Sequence, residues 1–139
     1  MEMQRELENV TEARRIHRGF LKILAFSYLF AGVLHGLDIF DARLKFSDMD
    51  LLWQTWTLYL AFSDTLAAFS LWFCARSGEL MFVAIVLSQL AVYLGWSEYF
   101  GSQYAWIAFH LLTLTVYLAV LTYKNRDDAI NGRTGSEAS

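Results

Sequence analysis

Four long apolar stretches limit what this chain can fold into: residues 19–40, 51–73, 80–99 and 104–123. Each is about as long as the roughly 20 helical residues that cross a bilayer core of about 30 Å. A helix satisfies all its backbone hydrogen bonds within one such stretch, as the bilayer core requires. The chain contains no proline, so no residue of that kind kinks these helices. The sequence therefore predicts an all-α membrane protein with four transmembrane helices.

The connections between these stretches are short, and short connections place consecutive helices antiparallel to each other. We therefore predict an up-down four-helix bundle as one transmembrane domain over residues 19–123. The polar segment 124–139, rich in Gly and Ser, predicts a disordered cytoplasmic tail.

The first 18 residues are charged and carry apolar side chains at intervals. The pattern indicates a short amphipathic helix on the cytoplasmic membrane surface or on a partner. A solvated entry to the first span is the alternative that the same residues allow. The apolar positions are Met3, Leu7, Val10 and Ile16.

The distribution of Lys and Arg predicts the orientation, because cytoplasmic segments collect these residues. With four spans, both termini share one side with the short link between the second and third spans. That side holds nine of the eleven Lys and Arg residues, and Arg43 and Lys45 lie on the other. We therefore expect both termini in the cytoplasm. The nine are Arg5, Arg14, Arg15, Arg18, Lys22, Arg76, Lys124, Arg126 and Arg133.

Composition excludes several classes of protein. With 56% hydrophobic residues, the chain is too apolar for a soluble domain of its length. A net charge of -3 provides no basic surface for nucleic acid. The single cysteine, Cys74, excludes an internal disulfide and a cysteine-based metal site. The expected partners are the lipid bilayer and other integral membrane subunits.

Asp64 lies deep in the second apolar stretch, where an ionisable side chain costs on the order of 3 kcal/mol. We expect it to face the bundle interior and to be largely neutral, because no Lys or Arg lies at that depth. Gln89 and Tyr28 reach a similar depth, and we predict a hydrogen bond from Asp64 to one of them. This bond would join helices; a proton-handling or ligand-binding role for Asp64 is the alternative.

A second polar layer is predicted nearer the non-cytoplasmic side, where His35 and His110 lie at similar depths in the first and fourth spans. The two histidines could ligate a haem iron or a divalent metal. With Asp38 and Trp106, they could instead surround a quinone headgroup. We favour interfacial polar structure, predict no metal site, and expect no haem in the isolated chain, because single histidines are a weak signal.

The first span contains Gly32 and Gly36 in a GxxxG pattern. Small residues at this spacing let a second helix backbone approach closely in a membrane. The sequence leaves open whether the neighbour is another span of this chain or another protein.

A resemblance to known families rests on WQTWTLYLAFSDTLAAFSLWF and FGSQYAWIAFHLLTLTVYLAV. Over residues 51–121 the chain resembles a family of small four-helix inner-membrane proteins of unknown function found in alphaproteobacteria. The resemblance implies the same fold in a bacterial inner membrane. The matching residues are Asp64, Ala67, Ala68, Leu71, Trp72, Phe100, Gly101, His110 and Tyr117.

The first span, with YLFAGVLHGLDIF, is more loosely similar to the DoxX-like four-helix proteins. In that group a carboxylate is common in the second span, and some members are linked to quinone oxidation. The similarity therefore implies that Asp64 corresponds to this carboxylate and that a link to quinone oxidation is one possible function.

Three functions follow from these features. The favoured hypothesis is a non-catalytic accessory subunit of a larger respiratory or transport complex, because the chain is small and has no complete catalytic set. The second is a quinone- or haem-associated redox protein, and the third a proton-coupled small carrier that uses Asp64. Catalytic residues cannot be named from the sequence, and we expect no enzyme.

Overall fold

The computed structural model describes residues 2–101 and 103–137, with side chains for 12–101, 103–126, 128 and 129. All regular secondary structure in these residues is helical, which confirms the all-α prediction. The helices are α1 (Glu2–Ile39), α2 (Leu51–Trp72), α3 (Arg76–Gly95), α4 (Ser97–Phe100) and α5 (Tyr104–Glu137), with a 3₁₀ turn at Phe46–Asp48.

Three segments in the described part of the chain are long and apolar enough to cross a membrane: Glu12–Ile39, Arg76–Gly95 and Tyr104–Arg126. The sequence predicted four. On length and composition α2 is not among them, because Gln54, Asp64 and several Ser and Thr residues lower its mean hydropathy. The four-span prediction is therefore corrected to three helices by this criterion.

Helices α1 and α5 extend beyond the predicted spans. α1 is one helix of 38 residues, so residues 2–18 do not form a separate helix. α5 has 34 residues and continues to Glu137, where the sequence predicted disorder from 124 onwards. Neither junction contains a proline, so backbone hydrogen bonding continues through both. Met3, Leu7 and Val10 lie outside the described side chains.

The chain divides into two compact units. One is Leu21–Ala91, and the other combines Met1–Phe20 with Val92–Ser139. In the second unit, the Arg14 guanidinium on α1 donates to Asp128 on α5 over 2.8 Å. This unit also buries Ala13 and His17 on α1, and Phe100, His110 and Tyr117.

In the Leu21–Ala91 unit, α1 and α2 run antiparallel and approach closely at Gly32. A Cβ atom at Gly32 would lie 2.7 Å from Thr65 Oγ1 and 3.3 Å from the Thr65 backbone nitrogen. The sequence left open which helix packs against the GxxxG pattern. In the structure it is α2 of the same chain, and the contact is at Gly32. A Cβ atom at Gly36 would meet nothing within 4 Å.

A tight turn then folds α3 back against α2. Cys74 has a positive φ of 54°, and its N–H donates to Leu71 O over 2.9 Å. Further along, the Tyr59 and Ser88 hydroxyls are 3.1 Å apart in a hydrogen bond between the two helices. These contacts place α3 antiparallel to α2 and therefore parallel to α1.

The interior of this unit is apolar where the three helices meet. The Tyr28 ring on α1 packs edge-on against Phe82 on α3, with ring centroids 5.9 Å apart. Two aliphatic residues, Leu24 on α1 and Leu60 on α2, are also buried in the unit. The polar side chains described next are therefore set in an apolar core.

Candidate functional site

Two buried carboxylates lie on either side of one histidine in the Leu21–Ala91 unit. Asp38 is 2% exposed and Asp64 is 1% exposed. His35 Nδ1 is 3.9 Å from Asp38 Oδ2, and His35 Nε2 is 3.9 Å from Asp64 Oδ2. Both distances exceed a hydrogen bond, so proton exchange here needs a small side-chain movement or a bridging water. We call His35, Asp38 and Asp64 the His–Asp cluster.

The local sequence explains why these three side chains meet. His35 and Asp38 are three residues apart and share one face of α1. Gly32 lies one turn before His35, and its lack of a side chain lets α2 approach at Thr65. Asp64 immediately precedes Thr65, so the same close approach brings its carboxylate to His35.

Arg43 also contacts Asp38, because its guanidinium donates a hydrogen bond to Asp38 Oδ2. The chain reverses after α1 at Asp41, which has a positive φ of 55°. In this turn the Ala42 N–H donates to Leu37 O over 2.8 Å. The reversal carries Arg43 back towards Asp38, five residues earlier. In the sequence Arg43 stands out only as a loop charge; the signal for the reversal is an aspartate at the left-handed position after a helix.

Asp64 is not hydrogen-bonded to Tyr28, one of the two partners that the sequence predicted. Neither Asp64 Oδ1 nor the Tyr28 hydroxyl has a hydrogen-bond partner in the described residues. The group facing Asp64 is His35 instead. The separate layers predicted for Asp64 and His35 are therefore one cluster.

Gln89 is buried on α3 and lies level with His35 rather than with Tyr28. Tyr28 on α1 packs on Phe82 on α3. His35 lies seven residues after Tyr28, and Gln89 lies seven residues after Phe82, so the two are level on these parallel helices. At this register Gln89 lies level with the His–Asp cluster, whereas Tyr28 lies about two turns away along α1.

His110 is buried but belongs to the other compact unit, where its ring packs against Phe109 with centroids 5.4 Å apart. Trp106, the other residue of the predicted quinone site on α5, is exposed and packs edge-on against Phe109. The haem and quinone hypotheses, which need His35 and His110 together, therefore stay predictions.

The described residues contain no group of three His, Cys, Asp or Glu side chains arranged to hold a metal ion. The His–Asp cluster and Arg43 together provide two carboxylates, one imidazole and one guanidinium. Such a set can bind and exchange protons, because imidazole accepts a proton at one nitrogen and releases one from the other.

Comparison with known proteins gives the family of the chain. The family of unknown function DUF6163 matches residues 15–128. The chain belongs to this family. The match includes all three residues of the His–Asp cluster and also Arg43. No curated protein and no solved structure matches the chain.

The family match confirms that the chain belongs to a family of unknown function. The alphaproteobacterial distribution and the similarity to DoxX-like proteins stay predictions from the sequence.

Proposed function

We propose that this member of DUF6163 is an integral protein of the bacterial inner membrane whose His–Asp cluster exchanges a proton at Asp64. The observation that carries the proposal is the position of the His35 imidazole, 3.9 Å from each of two buried carboxylates. Ionisable side chains inside a membrane protein commonly mark proton or substrate pathways.

The proposal includes α2 as a fourth span, with both termini in the cytoplasm. The polar residues Thr57, Ser63 and Asp64 of α2 are buried. Its exposed side chains include a continuous apolar stripe at helical spacing. A helix of this kind has a low mean hydropathy and still presents an apolar surface to lipid. The stripe is Leu58, Phe62, Leu66 and Phe69.

The hydroxyl groups of α2 also suit a membrane helix. Thr55 donates to Leu51 O over 2.7 Å, and Thr65 donates to Ala61 O over 2.7 Å. Hydroxyls that are satisfied one turn back within their own helix need no partner in lipid. These threonines, which lower the mean hydropathy of α2, therefore offer little obstacle to insertion.

The proton step involves one bond broken and one formed. The N–H bond at His35 Nε2 breaks as an O–H bond forms at Asp64 Oδ2, and the reverse step returns the proton. A buried carboxylate is costly as an isolated charge. The His35–Asp64 pair avoids this cost with one shared proton, as a neutral acid beside neutral imidazole or as a carboxylate beside imidazolium.

This geometry favours the proton-coupled carrier over the accessory-subunit hypothesis. A subunit held only by packing has no need of an imidazole between two buried carboxylates. An accessory subunit of a larger complex could still carry this proton site, so the association with other membrane subunits stays a prediction.

The proposal is tested by labelling native membranes with a hydrophobic carbodiimide, which reacts with protonated carboxyl groups in apolar surroundings. Peptide mass spectrometry then locates the adduct. We expect modification of Asp64, and its absence in Asp64→Asn. Thr57→Val, at another buried polar position on α2, is the matched control and should leave Asp64 labelling unchanged.

Asp64 without an adduct at any pH from mildly acidic to mildly alkaline would overturn the proton-exchange proposal. Proton uptake by vesicles that contain the purified protein, measured with an internal pH-sensitive dye, then distinguishes a carrier from an accessory subunit. A carrier loses uptake in Asp64→Asn, whereas an accessory subunit shows none in either form.

A further inference from the structure

We infer that Arg43 is a positioning residue that keeps Asp38 ionised and thereby makes Asp64 the carboxylate that receives the proton from His35. The inference rests on the proposed proton exchange and adds the choice between its two carboxylates. Asp38 and Asp64 are almost equally buried and equally distant from His35. The feature that distinguishes them is Arg43, which pairs with Asp38.

The pairing has a definite chemical effect on Asp38. A guanidinium group stays charged in proteins, and a charge-assisted hydrogen bond to it favours the ionised carboxylate. Among the described side chains, the charged or titratable groups in contact with Asp38 are Arg43 and His35. Asp64 has no such cationic partner: the titratable groups near it are His35, at 3.9 Å, and the Tyr28 hydroxyl.

The same pairing orients the imidazole. Asp38 Oδ2, which accepts from Arg43, is also the oxygen nearest His35 Nδ1. When a small side-chain movement or a bridging water joins this oxygen to Nδ1, the carboxylate holds the proton at Nδ1 and so sets the tautomer. Nδ1 therefore keeps its proton towards Asp38, and Nε2 is the atom that exchanges with Asp64.

Arg43 is held in place by the turn after α1 rather than by helix geometry. Asp41 Oδ1 accepts a hydrogen bond from the Ser47 backbone nitrogen over 3.1 Å, which closes the loop around Arg43. The Arg43 side chain is 43% exposed, whereas Asp38 is buried. Arg43 therefore lies at the boundary between the cluster and the loop, where it can act on Asp38 without entering the core.

The test compares carbodiimide adducts at Asp38 and Asp64 in native membranes. The wild-type protein should carry the adduct at Asp64 and not at Asp38. In Arg43→Gln, the ratio of Asp38 to Asp64 adducts should rise about tenfold or more, the change expected for loss of a charge-assisted hydrogen bond. Arg43→Lys should restore most of the wild-type ratio, because it returns the charge.

The matched control is Lys45→Gln, which removes a charge two residues further along the same loop. Lys45 is exposed and is 4.0 Å from the exposed Asp48, away from the cluster. This variant should keep the wild-type ratio. A purely structural role for Arg43 would lower the amount of protein or of both adducts together, and would leave their ratio unchanged.

The outcomes separate the two proposals. Asp64 labelled in the wild type, with Asp38 still unlabelled in Arg43→Gln, would overturn the role of Arg43 and leave proton exchange standing. Asp64 unlabelled in the wild type would overturn proton exchange itself. If Arg43→Gln does not accumulate, wild-type membranes are labelled over a range of pH instead: the Asp64 adduct should persist to a higher pH than any Asp38 adduct, and the same or the reverse order would overturn the inference.

Discussion

Gly32 shows how a single missing side chain can determine the position of a site. A methyl group there would come within 2.7 Å of Thr65 Oγ1 and 3.3 Å of the Thr65 backbone nitrogen. The hydroxyl can rotate away, but the backbone of α2 can move only with its whole helix. Because Asp64 precedes Thr65, any widening at this point also separates Asp64 from His35.

We therefore predict that Gly32→Ala lowers the free energy of unfolding by about 1–3 kcal/mol, as overpacking of a close contact does. It should also reduce carbodiimide labelling of Asp64. Gly36→Ala is the control, because its methyl group would meet nothing within 4 Å. Unfolding in mixed micelles of increasing denaturing detergent measures both variants, and equal stability for the two would contradict the close approach.

Asp64 itself allows fold and chemistry to be separated by substitution. Asparagine has the shape of a neutral aspartic acid, so Asp64→Asn should retain the abundance and assembly of the wild type while losing carbodiimide labelling. Asp64→Leu removes the polar contact with His35; since hydrogen bonds between membrane helices average about 0.6 kcal/mol, the loss of stability should be modest. Immunoblots of membranes and the same unfolding titration measure this. Loss of Asp64→Asn from the membrane would mean that the ionised carboxylate is needed for folding.

Among the helices, α1 and α5 are much longer than a membrane requires. At 1.5 Å per residue, the 38 residues of α1 extend about 57 Å, against a hydrocarbon core of about 30 Å. The Arg14–Asp128 ion pair joins the two helices at the ends that the sequence assigns to the cytoplasm. An exposed pair of this kind contributes about 0–1 kcal/mol to stability. The pair therefore shows where the two helices are in contact but adds little to the stability of that contact.

We predict that cysteines at 14 and 128, in a Cys74→Ser background, are joined within one chain by a short bifunctional maleimide. Cysteines at 15 and 128 are the control. One residue further along an α-helix turns the side chain by about 100°, away from the partner helix, so their cross-linking should be much weaker. Gel mobility after cross-linking measures the difference. Equal yields would show that these ends do not keep the pairing seen between Arg14 and Asp128.

For the whole molecule, the number of spans decides the side on which each terminus lies. Four spans put the loop after α1 and the C-terminus on opposite sides, whereas three spans without α2 put them on the same side. Reporter fusions after Asp48 and after Ser139 distinguish these arrangements. We expect opposite sides, with the C-terminus cytoplasmic, from the excess of Lys and Arg on that side. The same side at both positions would exclude α2 as a span.

The helical fold could be predicted from the sequence because it depends on local properties. Long apolar stretches without proline form helices wherever they are buried, so three of the four predicted spans correspond to helices that meet the criteria of length and hydropathy. The exception, α2, carries Thr57, Ser63 and Asp64 on a buried face, and an average over the stretch cannot separate one face from the other. The continuation of α1 and α5 beyond the predicted spans was also missed, because polar helix and polar coil resemble each other in composition.

The candidate residues His35, Asp38 and Asp64 were evident from the sequence, because ionisable groups are rare in apolar helices. Their grouping was not. Whether Asp64 meets Tyr28, Gln89 or His35 depends on the rotation and register of α1 against α2, which the Gly32–Thr65 contact sets. The pairing of Arg43 with Asp38 depends on a reversal at Asp41. The sequence by itself determined which side chains would be buried in apolar helices; only the tertiary structure decided which of them meet, because packing between helices is not a local property.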